Sequence, residues 1–418
     1  MKLNVEAVRA CYPALADGYA YLDGAAGTQV PSSVISAMSR AQATGLGNAG
    51  GVFPASHRSD AIVAACRLAV AVLTGGDSDG VVLGPNMTTL TYRMAGALAK
   101  TWKPGDEIVV SRLDHDANVR PWVQAAEQAG ATVRWASVDP ATGELPAGQY
   151  RDLITPRTRL VAVTAASNII GTRPDVSAIT SMAREAGALS YVDGVHATPH
   201  VPVDVHVLGA DFYATSAYKW SGPHVGAVVA DPGVLSRLEP DKLRPSPGEV
   251  PERFELGTAA FESLAGVTAA VLHLASLADL TEEAGPGDGA DADVAEVEAE
   301  SLRGRVLASM TAVHQYEQEL FGVLLAGLES MAHVHLYGRA AHRTATAYFT
   351  VDGRTPQQVA EHLGTRKINV WNGHNYAWEL TGVLGIRDSG SAVRAGLVHY
   401  NDAAEVERLL TAVAELAA

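Results

Sequence analysis

Between residues 80 and 231 the sequence alternates short apolar runs with polar, helix-spaced segments, and this rhythm limits the possible folds more than any other feature. The runs are VVLG at Val81, EIVVS around Ile108, TVRWASV around Val133, RLVAVTAAS around Val161, LSYVDG around Tyr191, DFYATS around Tyr213 and GAVVAD around Val228. Each is too short for a stable helix and rich in β-branched or aromatic residues, so each reads as a buried strand. Segments between them, such as NVRPWVQAAEQAG and DVSAITSMAREAG, have helical spacing and run into Gly130 and Gly187, which suits a helix stop. Strands alternating with helical crossovers predict an α/β fold with a mostly parallel seven-stranded sheet.

A chain of 418 residues is long enough for more than one globular unit. A helix-like stretch over 302–328 leads into a tail of mixed strand and helix signals, which predicts a smaller α+β domain. The expected division is a large domain over 22–275 and a small one from 1–21 and 276–418. Residues 281–300, TEEAGPGDGADADVAEVEAE, read as an acidic, solvated insertion or linker. Hydrophobic residues at 47% against charged ones at 18% fit a folded protein rather than a disordered one.

A formal charge of -15 argues against nucleic acid or an anionic membrane surface as partner, because either needs a basic face. No apolar run is long enough to span a bilayer, and the opening MKLNVEAVRACYPAL lacks a signal-peptide pattern. The two cysteines, Cys11 and Cys66, cannot build a disulfide framework, so a reducing, cytoplasmic location is expected. Cys66, within AIVAACRLAVAVL, reads as a buried small residue, and Cys11 as a packing residue.

In sheets of this kind the chemistry gathers where the carboxyl ends of several strands meet. The stretch SAYKWSGPHVG, residues 216–226, puts Lys219 at such an end before a Gly- and Pro-rich turn. Partial desolvation there lowers an amine pKa and favours its nucleophilic or Schiff-base form. One strand upstream, SYVDGVHATPH places Asp193 and His196 in a loop, where a carboxylate can hold a pyridinium nitrogen protonated. Asp193 can equally be a cap or turn residue. His196, His200 and His206 lack carboxylates or cysteines at ligand spacing, so no metal site is expected. The segment VVLGPNMTTLTYRMAGALAK looks like a strand feeding a helix whose first turn carries Thr88 and Thr89. Free N–H groups there suit a phosphate, while Asn86 or Thr88 could simply cap the helix. No GxxxxGK[ST] run is present, which counts against a nucleoside triphosphate.

The ordered set of Thr88 and Thr89, His115 in SRLDHDANV, Asn168 in TAASNIIG, Asp193 and His196 in VDGVH, and Ser216 and Lys219 in SAYKWSGPHVG resembles the class V aminotransferase family. That family includes cysteine desulfurases and selenocysteine lyases. The likeness runs from YLDGAAGTQVP near Tyr21 to VRAGLVHYN. It implies a fold-type I, pyridoxal-phosphate (PLP) dependent enzyme in which Lys219 carries the cofactor as a Schiff base. Asp193 would pair with the pyridine nitrogen, His115 would stack on the ring, and Asn168 would face its phenolic oxygen. Thr88, Thr89, Ser216 and His196 would hold the phosphate or ring edge. Thr258 in FELGTAAFE would reach the cofactor of a partner subunit, so a homodimer is implied. Arg394 would clamp the α-carboxylate of an amino-acid substrate with its bidentate fork.

The departures limit what is inherited. Where relatives carry a persulfide cysteine in a GHHCA-like motif, this chain reads NGHNYAWEL, with Tyr376 at the cysteine's place. Tyr218 and Ala217 precede Lys219 where a histidine is common. Trp371, His374 and Tyr376 are expected on the substrate side, and His57 and Arg58 near the pocket entrance or packed beside it. The leading reading is a lyase acting at Cβ–S or Cβ–Se of cysteine or a cysteine-derived amino acid. An aminotransferase or epimerase of another α-amino acid is the alternative, and a non-catalytic binding paralogue is a third.

Overall fold

The structure is a computed structural model that describes residues 3–280 and 299–417. The acidic stretch expected as an insertion or linker lies outside the described residues except for positions 299 and 300, which open a long helix, Ala299–Glu329.

Strand β1 (Ala20–Tyr21) is short. The large sheet contains β2 (Val81–Gly84), β3 (Glu107–Ser111), β4 (Thr132–Ala136), β5 (Thr158–Thr164), β6 (Leu189–Asp193), β7 (Phe212–Ser216) and β8 (Gly226–Ala230), in the order β2-β8-β7-β6-β5-β3-β4. All seven apolar runs are therefore strands of one sheet. The pairs from β7 to β4 are parallel, whereas β8 runs antiparallel to both β7 and β2. The reversal follows from chain length: only the turn of residues 217–225 joins β7 to β8, too short for a parallel crossover.

Both faces of this sheet are buried, which is why its strands read as continuous apolar runs rather than alternating ones. Successive residues still point to opposite faces. Val109, Val161, Val163, Val192 and Tyr213 join one core with Val70 and Leu73 of helix Pro54–Thr74 and Leu274 of helix Phe261–Ser276. Ile108, Val110, Leu160, Ala162, Tyr191 and Phe212 join the other, against Leu90 and Met94 of helix Met87–Ala99 and Trp122 of helix Arg120–Ala129. Gly130 closes the last of these helices in the left-handed region (φ 70), and Gly187 (φ 74) follows helix Val176–Glu185 in the same way.

The remaining strands are β9 (Val334–Tyr337), β10 (Thr346–Val351), β11 (Ile368–Asn369), β12 (Trp371–Gly373) and β13 (Ala392–Gly396). Four of them make an antiparallel sheet ordered β12-β13-β10-β9, and β11 pairs in parallel with β1. Leu320 and Leu324 of the long helix, Leu363, and Leu409 and Val413 of helix Ala403–Ala414 cover this sheet in a third core that also takes in Ala20 and Leu22. Leu3, Val8, Tyr12 and Leu15, by contrast, pack into the first core of the large sheet.

Candidate active site

The carboxyl ends of β3, β5, β6 and β7 open on one edge of the large sheet, and there a cavity is lined by Thr88, His115, Asn168, Asp193, His196 and Lys219, six of the residues expected from sequence. Ala25, Met87, Thr164, Ala166, Val195 and Tyr218 complete its wall. Asp193 is the last residue of β6, and Lys219 lies just past β7 in a 3-10 turn, Ala217–Lys219.

Lys219 Nζ donates hydrogen bonds of 2.7 Å to the main-chain carbonyls of both Ala25 and Ala26. Burial lowers its amine pKa to about 7, and Arg394 pushes the same way against the opposing carboxylates of Asp193 and Asp23. Near neutral pH a substantial fraction of this amine is thus unprotonated and nucleophilic. Asp193 Oδ1 accepts from Val195 N at 2.9 Å, and burial raises its carboxyl to about 6. A cationic ring nitrogen beside this carboxylate would offset that desolvation, which is the chemistry such a group needs.

His115 ends the β3 loop, where its Nδ1 accepts from Ala117 N at 3.0 Å. Burial and the nearby Lys219 and Arg394 lower it to about 3, so it is a neutral, flat ring at pH 7. The loop is held from beneath by Asp114, a residue with no role in the sequence reading. Ser111 Oγ donates to Asp114 Oδ2, Asn118 Nδ2 donates to Oδ1 at 2.7 Å, and Trp122 Nε1 donates to Asn118 Oδ1 at 3.0 Å. Burial raises the Asp114 carboxyl to about 8.

Asn168 Oδ1 in the cavity wall, and Nε of Arg394, which stands behind Asn168 and is not itself a lining residue, are buried without protein partners. Arg394, on β13, donates from Nη1 to Asn168 O at 3.0 Å, while Asn168 Nδ2 donates to Asn375 O at 2.8 Å. Buried groups of this kind ordinarily find partners, so both are free for a bound molecule. At the other end, helix Met87–Ala99 starts at the cavity. Asn86 caps it by accepting from Thr89 N at 2.9 Å, and Met87 N donates to the buried Ser216 Oγ at 3.0 Å. Thr88 faces the cavity at this positive helix end, as a phosphate requires. The amine, the buried carboxylate, the neutral stacking ring and the anion-ready helix start fit PLP.

The remaining expected residues stand elsewhere. Thr89 and Thr258 line a separate cavity with Arg93, His224 and Glu255. Ser216 lies under the helix start rather than in the cavity wall. His196 lines the cavity, but its Nε2 is engaged by Thr344 Oγ1 and Thr346 Oγ1, both at 3.0 Å, and burial holds it neutral. Trp371, His374 and Tyr376 are not among the lining residues. Trp371 and Tyr376 are exposed, and the Tyr376 ring rests on His115. His57 and Arg58 also lie outside the wall, with the Arg58 guanidinium on Gly45 O at 2.6 and 3.0 Å. Cys66 is buried in its helix, and Cys11 Sγ donates to Ala7 O at 3.5 Å. No sequence signal marked Ala25 or Ala26, because they act through main-chain carbonyls; Asp114 was hinted at only by its place beside His115.

Fold and cavity together define a fold-type I, PLP-dependent enzyme, with a mostly parallel seven-stranded sheet presenting the buried amine of Lys219. The sequence pattern of the family described as aminotransferase class-V matches residues 20–284 and 302–409, and the chain belongs to that family. It is 36% identical to the protein MT3887 of Mycobacterium tuberculosis over 100% of both chains. It is 33% identical to a probable cysteine desulfurase of Pseudomonas aeruginosa, covering 97% of this chain and 96% of that one. Among solved structures it resembles the cysteine desulfurase CsdA of Escherichia coli, with a TM-score of 0.83 and 26% identity over 100% of this chain and 99% of that one.

Proposed function

We propose that the protein is a cysteine desulfurase-like lyase that acts at the Cβ–S or Cβ–Se bond of cysteine or a cysteine-derived amino acid without a persulfide cysteine of its own. The observation that carries the reading is the buried Lys219 amine, held by the Ala25 and Ala26 carbonyls within the electrostatic reach of Asp193 and Arg394, in a cavity with no cysteine among its lining residues. PLP, when bound, supplies an electron sink for the bond broken at Cα. Lys219 Nζ would bear the cofactor and, once released, take the Cα proton of the substrate. Arg394 would hold the α-carboxylate, with Asn168 beside it, and the neutral His115 ring would cover one face. Asp193 would keep the ring nitrogen protonated, and Thr88 with the helix start would hold the phosphate, with Ser216 fixing Met87. Without a neighbouring thiol, sulfur would leave Cβ with the bonding electron pair as sulfide, and water would release pyruvate and ammonia from the remainder.

A second reading, an aminotransferase or epimerase of another α-amino acid, is favoured by Tyr376. Its ring packs on His115, and its carbonyl accepts from Asp116 N at 2.7 Å, so the loop is tied down where relatives place a nucleophile. Product analysis by mass spectrometry separates the two. Pyruvate or alanine with released sulfur from L-cysteine supports the lyase. Pyridoxamine phosphate, or no turnover of cysteine but turnover of other amino acids, supports the alternative.

The active unit would be a homodimer. Thr258 lies in an exposed stretch away from its own Lys219, which suits a role at a partner's cofactor. A division into a large domain over 22–275 and a small remainder is supported by the separate core of the antiparallel sheet, whereas the packing of Leu3, Val8, Tyr12 and Leu15 with the large sheet speaks against counting the amino-terminal segment with the small domain. Among the described residues no helix is long and apolar enough to cross a membrane. Two unpaired thiols suit the cytoplasm.

A further inference from the structure

The turn after Lys219 holds a residue in a conformation that its type disfavours. Ser221 has φ 68, in the left-handed region where a side chain crowds the backbone. Such strain persists only where surrounding contacts over-determine it. Here the contacts come from two places. Ser221 N donates to Thr28 Oγ1 at 2.7 Å, and Thr28 N donates to Tyr218 O at 2.9 Å, lacing the turn to the segment whose Ala25 and Ala26 carbonyls receive the Lys219 amine. Ser221 Oγ, fully buried, meets Tyr12 Oη at 2.7 Å.

Tyr12 lies 209 positions earlier in the chain, and its hydroxyl is a hub. Besides Ser221 it meets His273 Nε2 at 2.9 Å and His399 Nε2 at 2.7 Å. A phenol has one proton and two lone pairs, so three partners use its full capacity and leave it no alternative geometry. Burial lowers His273 to about 4 and His399 to about 3 and raises the phenol well above its usual value. The hub is therefore uncharged across the neutral range. The rings of His273, His399 and Tyr400 pack around the phenol at centroid distances of 4.8 to 5.9 Å. The mechanism uses none of these groups.

We propose that Tyr12 is a positioning residue for Lys219: its hydroxyl, oriented by His273 and His399, holds Ser221 in the left-handed conformation that turns the chain and aims the lysine amine into the cavity. The inference rests on the reading of Lys219 as the cofactor-bearing residue. It gives the amino-terminal segment a part in the site that its place outside the cavity wall conceals.

The test follows the rate at which PLP, added to cofactor-free protein, forms its Schiff-base absorbance. Tyr12→Phe and, more conservatively, Ser221→Ala should each slow capture about five- to tenfold, the worth of a left-handed conformation in a non-glycine residue. Ser221→Gly adopts that conformation without help. In the Tyr12→Phe background it should therefore restore the capture rate, while the thermal midpoint stays low because His273 and His399 remain unpaired. Should Tyr12→Phe fail to fold, Ser221→Ala against Ser221→Gly gives the same comparison with the hub intact. Capture at the wild-type rate in Ser221→Ala, or a slow Tyr12→Phe protein that Ser221→Gly does not rescue, would overturn the proposal. Borohydride reduction and peptide mapping of the wild type keep the two readings apart. PLP on another lysine refutes the assignment of Lys219, whereas PLP on Lys219 with unaffected variants refutes only the role of Tyr12.

Discussion

The Tyr376 ring lies stacked on the His115 imidazole, 5.4 Å between centroids at an interplanar angle of 27°. The backbone of the same loop is tied to the site twice, by Asp116 N to Tyr376 O and by Asn168 Nδ2 to Asn375 O. Asn375 and Tyr376 both stand in the left-handed region, at φ 46 and 59, so the loop is held against local preference. The ring thus braces the imidazole from outside.

Removing that brace should loosen the cofactor. An aromatic pair of this kind contributes about 0.5–1.5 kcal/mol beyond its buried area. Tyr376→Ala is expected to weaken PLP binding by about three- to tenfold, and Tyr376→Phe to leave it within about twofold because the stack survives. Absorbance titration of cofactor-free protein reads both. Unchanged affinity in Tyr376→Ala would show that His115 needs no brace.

The buried amine of Lys219 makes stability depend on pH in a defined direction. Its pKa is about 7 in the folded protein against 10.5 as the ordinary value, so between these limits the unfolded chain binds more protons and stability rises with pH. Lys219→Met should therefore stabilise cofactor-free protein by on the order of 1–3 kcal/mol at or below pH 7, the gain fading towards pH 10. Denaturant titrations at pH 7 and pH 9.5 measure the difference. A variant destabilised equally at both pH values would contradict the buried, depressed amine. The same variant should show no Schiff-base absorbance with PLP.

Arg394 donates one Nη1 hydrogen bond to Asn168 O and leaves Nε free. A lysine cannot reproduce a planar fork. Arg394→Lys is expected to raise KM for an amino-acid substrate by about tenfold or more with a smaller fall in kcat. An unchanged KM would place the carboxylate site elsewhere. Cofactor absorbance should be retained, which separates this effect from loss of PLP.

Gly226 opens β8 where that strand passes the start of helix Met87–Ala99. A Cβ there would lie 2.3 Å from Asn86 C and 2.5 Å from Met87 N, both backbone atoms that cannot swing aside. Gly226→Ala should cost about 1–3 kcal/mol and displace the helix end proposed to hold the phosphate. Its signature is a lower thermal midpoint together with weaker PLP binding; normal values of both would mean that the helix start yields without cost.

Much of this was legible in the sequence. Val161, Val192 and Tyr213 alternate faces with Leu160, Tyr191 and Phe212, and such local patterns are set by the two-residue period of a strand buried on both sides. Asp193 and Lys219 were legible because a strand that ends in a polar loop delivers its last residues to the carboxyl edge, wherever the strand sits in the sheet. Less legible was the reversal of β8, which depends on the shortness of the turn after Lys219 rather than on the run itself.

What the sequence determined alone is therefore the seven strands of the large sheet and the identity of the groups at their ends, since both depend on neighbours a few positions away. Only the tertiary structure decided where the longer-range partners fall. It turned Tyr376 onto His115 instead of into the cavity, sent Thr89 and Thr258 to a different cleft, and brought the Ala25 and Ala26 carbonyls and the Tyr12 hydroxyl to the lysine turn. These contacts join residues up to 261 positions apart, as in Tyr376 on His115, and depend on how the antiparallel sheet and amino-terminal segment close over the large sheet. No local pattern of charge or hydropathy encodes such a distance, because the hydrogen-bonding groups involved are as common at any other turn.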